Sequence, residues 1–407
     1  MRFLHISDTH LGHRRWGLPE REKDFYDVFS EIVDIAIREN VEAVLHGGDM
    51  FDKPDPPPQT YIKVYEELSR LRDQGIRFYV VAGNHDLPTI IKRSPLEFFE
   101  RVGLLRLLSL DTPGSDSFVD RDGVEIEIHG FSKRCSNDFF DKRINVKNEK
   151  KILRVALVHT LSCEPFLHIY GWSESFCQER GLRKLNSAIN TSYFKYIALG
   201  DLHISWETRI GDSIAVYPGS PEALDRGEAF DRNFMFIDRY VYVVDLKIDR
   251  VEVKKIKLER ARPWIYVQGA DYKEVLNKIN NYQWSRYKKP PILVVEIKKN
   301  LSSAERDYLN KELGKLIDSG RIFRYDIVFP ERGEELYTSI AREGYGAKIE
   351  TPSIESVLRD LFKDPGLVAL LNDFIEERIN ERDLVKRLRE NKDLLENLDS
   401  AIKSLRV

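Results

Sequence analysis

The sequence predicts an α/β protein with two packed β-sheets, followed by a small α+β unit and a helical C-terminal tail. Three observations lead to this fold class. In residues 1–245, short apolar runs of strand length alternate with amphipathic helical patterns, which is typical of helices packed on a sheet. After residue 199 the strand-like runs follow one another closely and indicate a second sheet packed on the first. Beyond Arg262-Pro263 the pattern changes to a short alternation of strands and helices, and then to helices alone.

The elements follow from these patterns in chain order. In the layered domain, strands are predicted at 2–7, 41–46, 77–82, 126–129, 153–159 and 196–199, and helices at 22–38, 60–74 and 95–102. The strand-rich stretch adds runs at 214–217, 235–238, 240–248 and 251–258. The α+β unit has strands at 264–268, 291–297 and 321–329, and helices at 272–280 and 303–319. The predicted domains are therefore 1–260, 261–330, a polar glycine-containing linker at 331–352 and a helical tail at 353–407.

Composition excludes several protein classes. The 407 residues include 64 Lys and Arg against 67 Asp and Glu, a net charge of −3, which excludes a protein that is basic throughout but leaves a local basic face open. Cys135, Cys163 and Cys177 are too few for a disulfide framework, so free thiols are expected. The N-terminus lacks the apolar segment of a signal peptide, and no run reaches the ~20 apolar residues of a membrane span. We therefore expect a cytoplasmic protein without membrane association.

Five polar motifs each follow directly on a predicted strand. They are Asp8-Thr9-His10, Gly47-Gly48-Asp49 with Asp52, Gly83-Asn84-His85-Asp86, His159, and Gly200-Asp201-Leu202-His203. In open α/β sheets, ligands bind beyond the carboxyl ends of the strands, so the five motifs are expected to meet in one crevice. Each motif is weak evidence alone, but all five in this order favour a shared site.

The side chains of these motifs are carboxylates, imidazoles and one carboxamide, without a thiolate. This donor set favours Mn²⁺, Fe²⁺ or Zn²⁺ in a mixed nitrogen and oxygen site over a structural zinc. A single carboxylate such as Asp49 can bridge two ions ~3.5–4 Å apart, the separation found in two-metal hydrolases. The sequence thus predicts a hydrolytic metal centre.

The order of these motifs, D-x-H, G-D-x-x-D, G-N-H-D, H and G-x-x-H, resembles the calcineurin-like metallophosphoesterase superfamily. Within it, the chain looks like the SbcD/Mre-eleven family of DNA double-strand-break repair nucleases, of the archaeal type. This narrower resemblance depends on EREKD at 20–24, VLHGGDMFD at 44–52, VAGNHD at 81–86 and YPGS at 217–220. It is specific over residues 1–245 and only architectural beyond them. It implies a two-sheet, four-layer sandwich with an α+β capping and DNA-binding domain and a helical partner-binding tail.

The resemblance also implies roles for matching residues. One Mn²⁺ would be held by Asp8, His10, Asp49 and His203, and a second by Asp49, Asn84, His159 and Asp201, with Mg²⁺, Fe²⁺ or Zn²⁺ as other possible ions. His85 would face the scissile phosphate as a catalytic residue, and Asp52 would orient its ring. The family has a histidine where this chain has Asp201, and the extra carboxylate favours a harder ion.

DNA and protein partners are less clearly indicated. Arg14, Arg15 and Arg21, near His13, either line a phosphate track or belong to a solvated loop. Ser220 lies in a tight turn that either reaches the site rim or simply connects strands. The run 133–154 holds eight Lys and Arg against three acids and is either a DNA-facing or a solvated surface.

The family resemblance implies a homodimer and a coiled-coil ABC-type ATPase as partners. For the dimer, we expect Tyr61, Val64, Leu68, Leu71, Leu96 and Phe99, on helices 60–74 and 95–102, to be exposed. The amphipathic tail either grips the base of the ATPase coiled coil or docks on its own domain.

These observations predict a metal-dependent DNA nuclease that acts on double-stranded ends as an exonuclease and on single-stranded DNA as an endonuclease. Two alternatives are a small-molecule phosphodiesterase or phosphatase of the same superfamily, and a weakly catalytic scaffold that binds DNA ends. The first would use the same metal site but would need neither the α+β domain nor the tail. The second is suggested by Asp201.

Overall fold

A computed structural model describes residues 1–88, 93–141, 152–188 and 193–328, together with residues 366, 369, 370 and 391. The chain divides into two compact units, Met1–Ile340 and Ala341–Val407. The predicted linker at 331–352 and almost all of the predicted tail at 353–407 lie outside the described residues. Apart from residues 366, 369, 370 and 391, the described residues belong to the first unit.

The first sheet has six strands in the order β12-β11-β1-β2-β3-β4. They are β1 (Arg2–Ile6), β2 (Ala43–His46), β3 (Arg77–Val81), β4 (Arg106–Ser109), β11 (Tyr240–Leu246) and β12 (Val251–Lys257). β1 to β4 run parallel to one another, while β11 is antiparallel to both β1 and β12. The parallel central strands are buried on both faces, which is why they read as continuous apolar runs in the sequence.

The second sheet also has six strands, in the order β5-β6-β7-β8-β10-β9. They are β5 (Gly114–Val119), β6 (Glu125–Phe131), β7 (Ile152–His159), β8 (Tyr196–Gly200), β9 (Trp206–Ile210) and β10 (Ser213–Tyr217). The inner four are parallel, and the edge strands β5 and β9 are antiparallel to their neighbours. The chain is therefore an α/β protein with two mixed six-stranded sheets.

The two sheets share one apolar core. Phe3 and Leu45 of the first sheet are buried in the same cluster as Val155 and Val216 of the second. A second cluster joins the other face of the first sheet to three helices, α1 (Pro19–Arg38), α2 (Pro58–Asp73) and α3 (Pro95–Arg101). Shorter helices complete this part, α4 (Ser136–Asp141), α5 (Cys163–Tyr170), α6 (Glu174–Glu179) and α7 (Arg226–Ala229). The motifs at the strand ends are thus carried by a rigid two-sheet frame.

A small third sheet follows, made of three parallel strands in the order β13-β14-β15. Its elements are β13 (Trp264–Gly269), α8 (Tyr272–Asn280), β14 (Ile292–Ile297), α9 (Ser303–Asp318) and β15 (Arg324–Val328). Leu293, Val275 and Leu313 belong to an apolar cluster of its own, apart from that of the large sheets. Ser302 caps α9 together with Glu305, the reciprocal capping that marks a helix start in sequence.

The strand-rich stretch after residue 199 was expected to form the second sheet, and this is wrong in part. β11 and β12 extend the first sheet, because β11 pairs with β1 at the chain start. Residues 235–238 form no named strand, only an isolated bridge between Phe230 and Phe236. The sequence analysis also missed the strands β4, β5 and β9. Strand partners distant in sequence, such as β1 and β11, leave no local signal.

The expected exposure on α2 and α3 is also wrong. Val64, Leu68, Leu71, Leu96 and Phe99 are buried in the helix–sheet core, and Tyr61 is partly buried against it. The helices turn a different apolar set outward, namely Ile62, Tyr65 and Phe98, and Val102, the residue that follows α3, is exposed beside them in sequence. The error has a simple cause, because a single apolar stripe at helical spacing marks the core-facing side first.

The expectation of free thiols is wrong for two of the three cysteines. Cys163 and Cys177 form a disulfide between α5 and α6, with Cα atoms 5.7 Å apart, while Cys135 is free and buried. The 14-residue separation does not reveal that the two helices bring these thiols together.

None of the described helices combines the length and the apolar character that crossing a bilayer would require.

Candidate metal centre

The five motifs occupy the carboxyl ends of β1, β2 and β3 in the first sheet and of β7 and β8 in the second. These strands are neighbours within their sheets, and the sheets pack face to face, so the strand ends meet at one edge. The main-chain N–H of Asp201, after β8, donates to Oδ1 of Asp8, after β1, over 3.1 Å. The two sheets are thus linked directly at the site.

The first implied ligand set is brought together. Ligand atoms of Asp8, His10, Asp49 and His203 all lie within 4.8 Å of one another. Nε2 of His10 is 3.3 Å from Nε2 of His203. Two nitrogen ligands at ~2.1 Å from one cation stand ~3.0–3.4 Å apart, so these two rings are spaced to share an ion.

The second implied set surrounds the ring of His159. Its Nε2 lies 3.2 Å from Oδ1 of Asn84, 3.4 Å from Oδ2 of Asp49 and 3.6 Å from Oδ1 of Asp201. Asp49 therefore contributes to both sets, as a bridging carboxylate must. Nitrogen and carboxylate or carboxamide oxygen donors suit Mn²⁺, Fe²⁺ or Zn²⁺, so the residues present fit a two-cation centre.

The main chain at the site is strained. Asp8, His10, Asp49 and Asp201 have φ angles of 52°, 42°, 53° and 89°. Residues other than glycine rarely adopt this left-handed region, and such conformations cost ~1–3 kcal/mol each. The surrounding fold therefore imposes the main-chain conformation of these four proposed ligands.

Two glycines permit the close approach of the loops. A Cβ on Gly83 would stand 2.1 Å from Oδ1 of Asp49, and a Cβ on Gly48 would stand 2.4 Å from Nδ1 of His159. Gly48 also has a φ of 97°, which favours glycine. The glycines in these motifs thus make space for the ligands themselves.

Supporting residues that the sequence analysis did not assign hold the ligands. Nδ1 of His203 lies 2.6 Å from the carboxylate of Glu228, and this contact orients the ring so that Nε2 faces the site. Asp86 accepts main-chain hydrogen bonds from Met50, Phe51 and Gly83, which ties the loop after β2 to the loop after β3. Asp86 belongs to the motif Gly83-Asn84-His85-Asp86 that the sequence analysis singled out, whereas the residues around Glu228 in sequence do not indicate a role at the site.

His85 contacts Asp52 through the main chain of that residue. Its Nδ1 contacts the main-chain carbonyl oxygen of Asp52 at 2.8 Å, and its main-chain N–H donates to Asp49. The Asp52 carboxylate instead contacts Nδ1 of His13 at 2.7 Å. Asp52 therefore orients His85 through its carbonyl. His10, Asp52 and His85 also form a second group of ligand-type atoms.

Lys133 is a further residue at the site. It lies in a short 3₁₀ turn after β6, and its ammonium forms an ion pair with Oδ2 of Asp201. The sequence placed Lys133 only at the start of a basic run. The sign of this residue in the sequence is a lysine that comes shortly after β6, a strand that no ligand motif follows.

The site is strongly acidic in character. Burial acts to lower the pKa of His159, but the carboxylates of Asp49 and Asp201 outweigh burial and raise it to about 9. Burial acts likewise on His203, whose pKa is raised to about 10, mainly by Glu228. Protons and metal cations compete for the same ring nitrogens, so a cluster that draws positive charge to its imidazoles also favours metal cations.

The four residues predicted to contact DNA differ in their exposure to solvent. The Arg14 side chain is exposed, and its Nε is 3.8 Å from the Glu22 carboxylate. Arg15 is half-buried, with its guanidinium 4.9 Å from the centre of the Trp16 ring. Both remain candidates for DNA contact.

Arg21 and Ser220 are not surface residues, which contradicts their predicted role. Arg21 is fully buried and pairs with Asp24 and Glu222 at 3.0 Å each. Ser220 is 1% exposed, and its hydroxyl lies 3.4 Å from the carbonyl oxygen of His203. Arg21 is buried by its contacts with Glu222 and Ala223. Ser220 is buried by its contacts with His203 and Arg239, and all of these partners are distant in sequence from the residue they cover.

Comparisons with known proteins identify the family of this chain. The calcineurin-like phosphoesterase family matches residues 1–205. The DNA double-strand break repair protein Mre11 of Sulfolobus acidocaldarius is 28% identical over 399 residues, covering 94% of this chain and 96% of that protein. Mre11 of Sulfurisphaera tokodaii is 30% identical over 319 residues, covering 77% of each chain.

Among solved structures, a dimetal phosphatase from Danio rerio is 10% identical, with a TM-score of 0.37 over 63% of this chain and 98% of that one. The family match over half of the chain and the similarity to archaeal repair proteins identify the family. The chain belongs to the calcineurin-like phosphoesterase family and, within it, to the Mre11 family of DNA double-strand break repair proteins.

Proposed function

We propose that this chain is a nuclease that hydrolyses DNA phosphodiesters with two cations, by preference Mn²⁺, held by the two donor sets that share Asp49. The observation that carries the proposal is the overlap of these sets around buried carboxylates and imidazoles. Bound cations would activate a water molecule and offset the charge of the phosphate. The two-sheet frame would form the family's four-layer sandwich.

His85 would act beside the cations as the catalytic residue. Because the Asp52 carbonyl can only accept a hydrogen bond, Nδ1 of His85 carries a hydrogen. Nε2 is then the atom that can hold a second proton, offset charge on the phosphate or release that proton to the leaving oxygen. Asp52 would then be a positioning residue, which acts through His85.

We propose DNA ends and single-stranded DNA as the substrates, cut as an exonuclease and as an endonuclease respectively. The name of the relatives as repair proteins supports this choice over a small-molecule phosphodiesterase. A cytoplasmic location follows from such a role in an archaeal cell. The third sheet would contribute a DNA-binding and capping surface.

The test is to incubate the full chain with linear duplex and with circular single-stranded DNA, in Mn²⁺, Mg²⁺ or EDTA. We expect cleavage of both DNAs in Mn²⁺ and none in EDTA, and loss of cleavage in Asp8→Ala and Asp49→Ala. Undiminished cleavage in EDTA would contradict the metal centre. Hydrolysis of bis-p-nitrophenyl phosphate without cleavage of DNA would favour the small-molecule alternative.

The DNA-end-binding scaffold is kept as a second candidate because Asp201 is tied to Lys133. An ammonium beside a proposed ligand weakens the hold on a cation. Tight binding of DNA ends with no cleavage in any metal would favour this candidate.

We propose a homodimer in which the outward apolar residues of α2 and α3 pair with those of a second copy. Ile62, Tyr65, Phe98 and Val102 are 61%, 47%, 47% and 42% exposed. A two-fold contact would bury both sets at once. The coiled-coil ATPase would bind the tail at 353–407.

A further inference from the structure

Lys133 is anchored to both sheets at the metal centre. It follows β6 of the second sheet, and its main-chain N–H donates over 3.0 Å to the carbonyl oxygen of Ala82, which follows β3 of the first sheet. Its side chain is 38% exposed, while that of Asp201, its partner, is only 13% exposed. The half-buried side chain thus carries its ammonium from the turn after β6 to the Asp201 carboxylate, at the edge of the second donor set.

The two oxygens of Asp201 face different groups. Oδ2 pairs with the Lys133 ammonium, and Oδ1 lies 3.6 Å from Nε2 of His159. Oδ1 is thus the atom that points into the second donor set, together with Asn84 and Asp49. Because Lys133 occupies Oδ2, a cation in the second position would have only Oδ1 of Asp201 as a ligand. The ammonium also places a positive charge on the other side of this carboxylate.

Among the described residues, no lysine or arginine shares a carboxylate of the first donor set in this way. The carboxylates of Asp8 and Asp49 lie in direct contact with histidines and main-chain N–H groups, and Arg239 reaches this set only through the main-chain carbonyl oxygen of His203, over 3.1 Å. Repulsion from the ammonium therefore acts mainly on the second position.

We infer that Lys133 sets the affinity of the second cation position, because it shares the Asp201 carboxylate with the cation and so makes that position the weaker of the two. The inference deepens the proposed function and depends on its two-cation centre. A unit charge ~6 Å from a divalent ion changes its affinity by about tenfold even in a water-like medium, and by more in a partly buried site. Removal of the Lys133 charge should tighten the second position at least about tenfold and leave the first nearly unchanged.

The experiment is a titration of the full chain with Mn²⁺, in which free Mn²⁺ is followed by electron paramagnetic resonance. Lys133→Gln is the main variant, since its neutral amide has a similar reach and can still bond Asp201; Lys133→Met is the second. Lys133→Arg keeps the charge and should behave as the unchanged protein. Arg134→Met is the matched control, because Arg134 is the next residue, carries the same charge and pairs with Asp111 at the surface.

We expect a weak and a strong site in the unchanged chain, and two sites of closer affinity in Lys133→Gln and Lys133→Met. If the weak site of the unchanged chain binds too weakly to be detected, the same effect gives one bound Mn²⁺ in the unchanged chain and two in Lys133→Gln. Weaker binding in Lys133→Gln would mean that Lys133 only holds Asp201 in place, and would overturn the inference. Unchanged affinities with two bound Mn²⁺ would overturn it too, and leave the two-cation centre standing. A single Mn²⁺ in every variant would overturn the two-cation centre itself.

Discussion

Asp24 joins the layered part of the chain to the third-sheet part through buried ion pairs. Its side chain is 1% exposed and lies 3.0 Å from Arg21, 2.5 Å from Arg262 and 3.1 Å from Lys289. Glu222 pairs with Arg21 and accepts the main-chain N–H of Arg262. One buried carboxylate thus contacts three cations, one on α1 and two on the segments that precede β13 and β14.

We predict that Asp24→Asn destabilises the protein by ~3–5 kcal/mol. Removing one partner of a buried ion pair leaves the opposite charges uncompensated, and costs of this size are typical. Glu222 remains to balance part of the charge, which favours the lower end of the range. Chemical denaturation of the full chain at pH 7, followed by tryptophan fluorescence, measures the effect, since Trp264 lies in β13 at this junction.

Asp27→Asn is the matched control. Asp27 is on the same helix and also contacts Lys289, at 3.2 Å, but its side chain is 27% exposed. Ion pairs near the surface contribute ~0–1 kcal/mol, so this variant should unfold close to the unchanged protein. Equal losses in the two variants would refute the argument from burial.

The same contacts predict a pH dependence. Burial alone would raise the pKa of Asp24, but hydrogen bonds and charges from Arg262, Arg21 and Lys289 outweigh burial and lower the pKa below 3.8. A carboxyl whose pKa is lower in the folded state stabilises above its unfolded pKa, and this contribution is lost as the pH falls through the folded pKa. The difference between the unchanged protein and Asp24→Asn should be complete at pH 7 and shrink below pH ~4. A difference that stays constant down to pH 2 would contradict this origin.

Four further predictions concern the site and the partners. His85→Gln should keep both bound cations in metal analysis and lose ~10²–10⁴-fold in cleavage rate, since a proton-transfer group is removed without a ligand; a lower metal content would make His85 a ligand instead. Gly83→Ala should reduce metal content and cleavage together, because its Cβ would meet Asp49 at 2.1 Å. Tyr65→Asp with Phe98→Asp should give monomers by light scattering with cleavage of single-stranded DNA retained, whereas deletion of 353–407 should keep the dimer and abolish co-purification with the coiled-coil ATPase.

The sequence by itself determined the elements whose signal is local. The ends of α8, the buried central strands and the polar residues that follow them are all properties of short segments, because apolar periodicity and capping act over a few residues. Parallel strands bring their carboxyl ends to one edge, so the residues that meet at the metal centre, such as Asp8 and Asp49, could also be predicted.

Only the tertiary structure decided which distant segments meet. The pairing of β11 with β1, the bond between Cys163 and Cys177, and the burial of Arg21 against Glu222 join residues far apart along the chain or on separate helices. The same holds for the ion pair of Lys133 with Asp201 at the centre itself. Such contacts depend on how whole sheets and helices pack. The packing free energy is a sum over the entire core, so it produces no characteristic sequence spacing between the residues that come into contact.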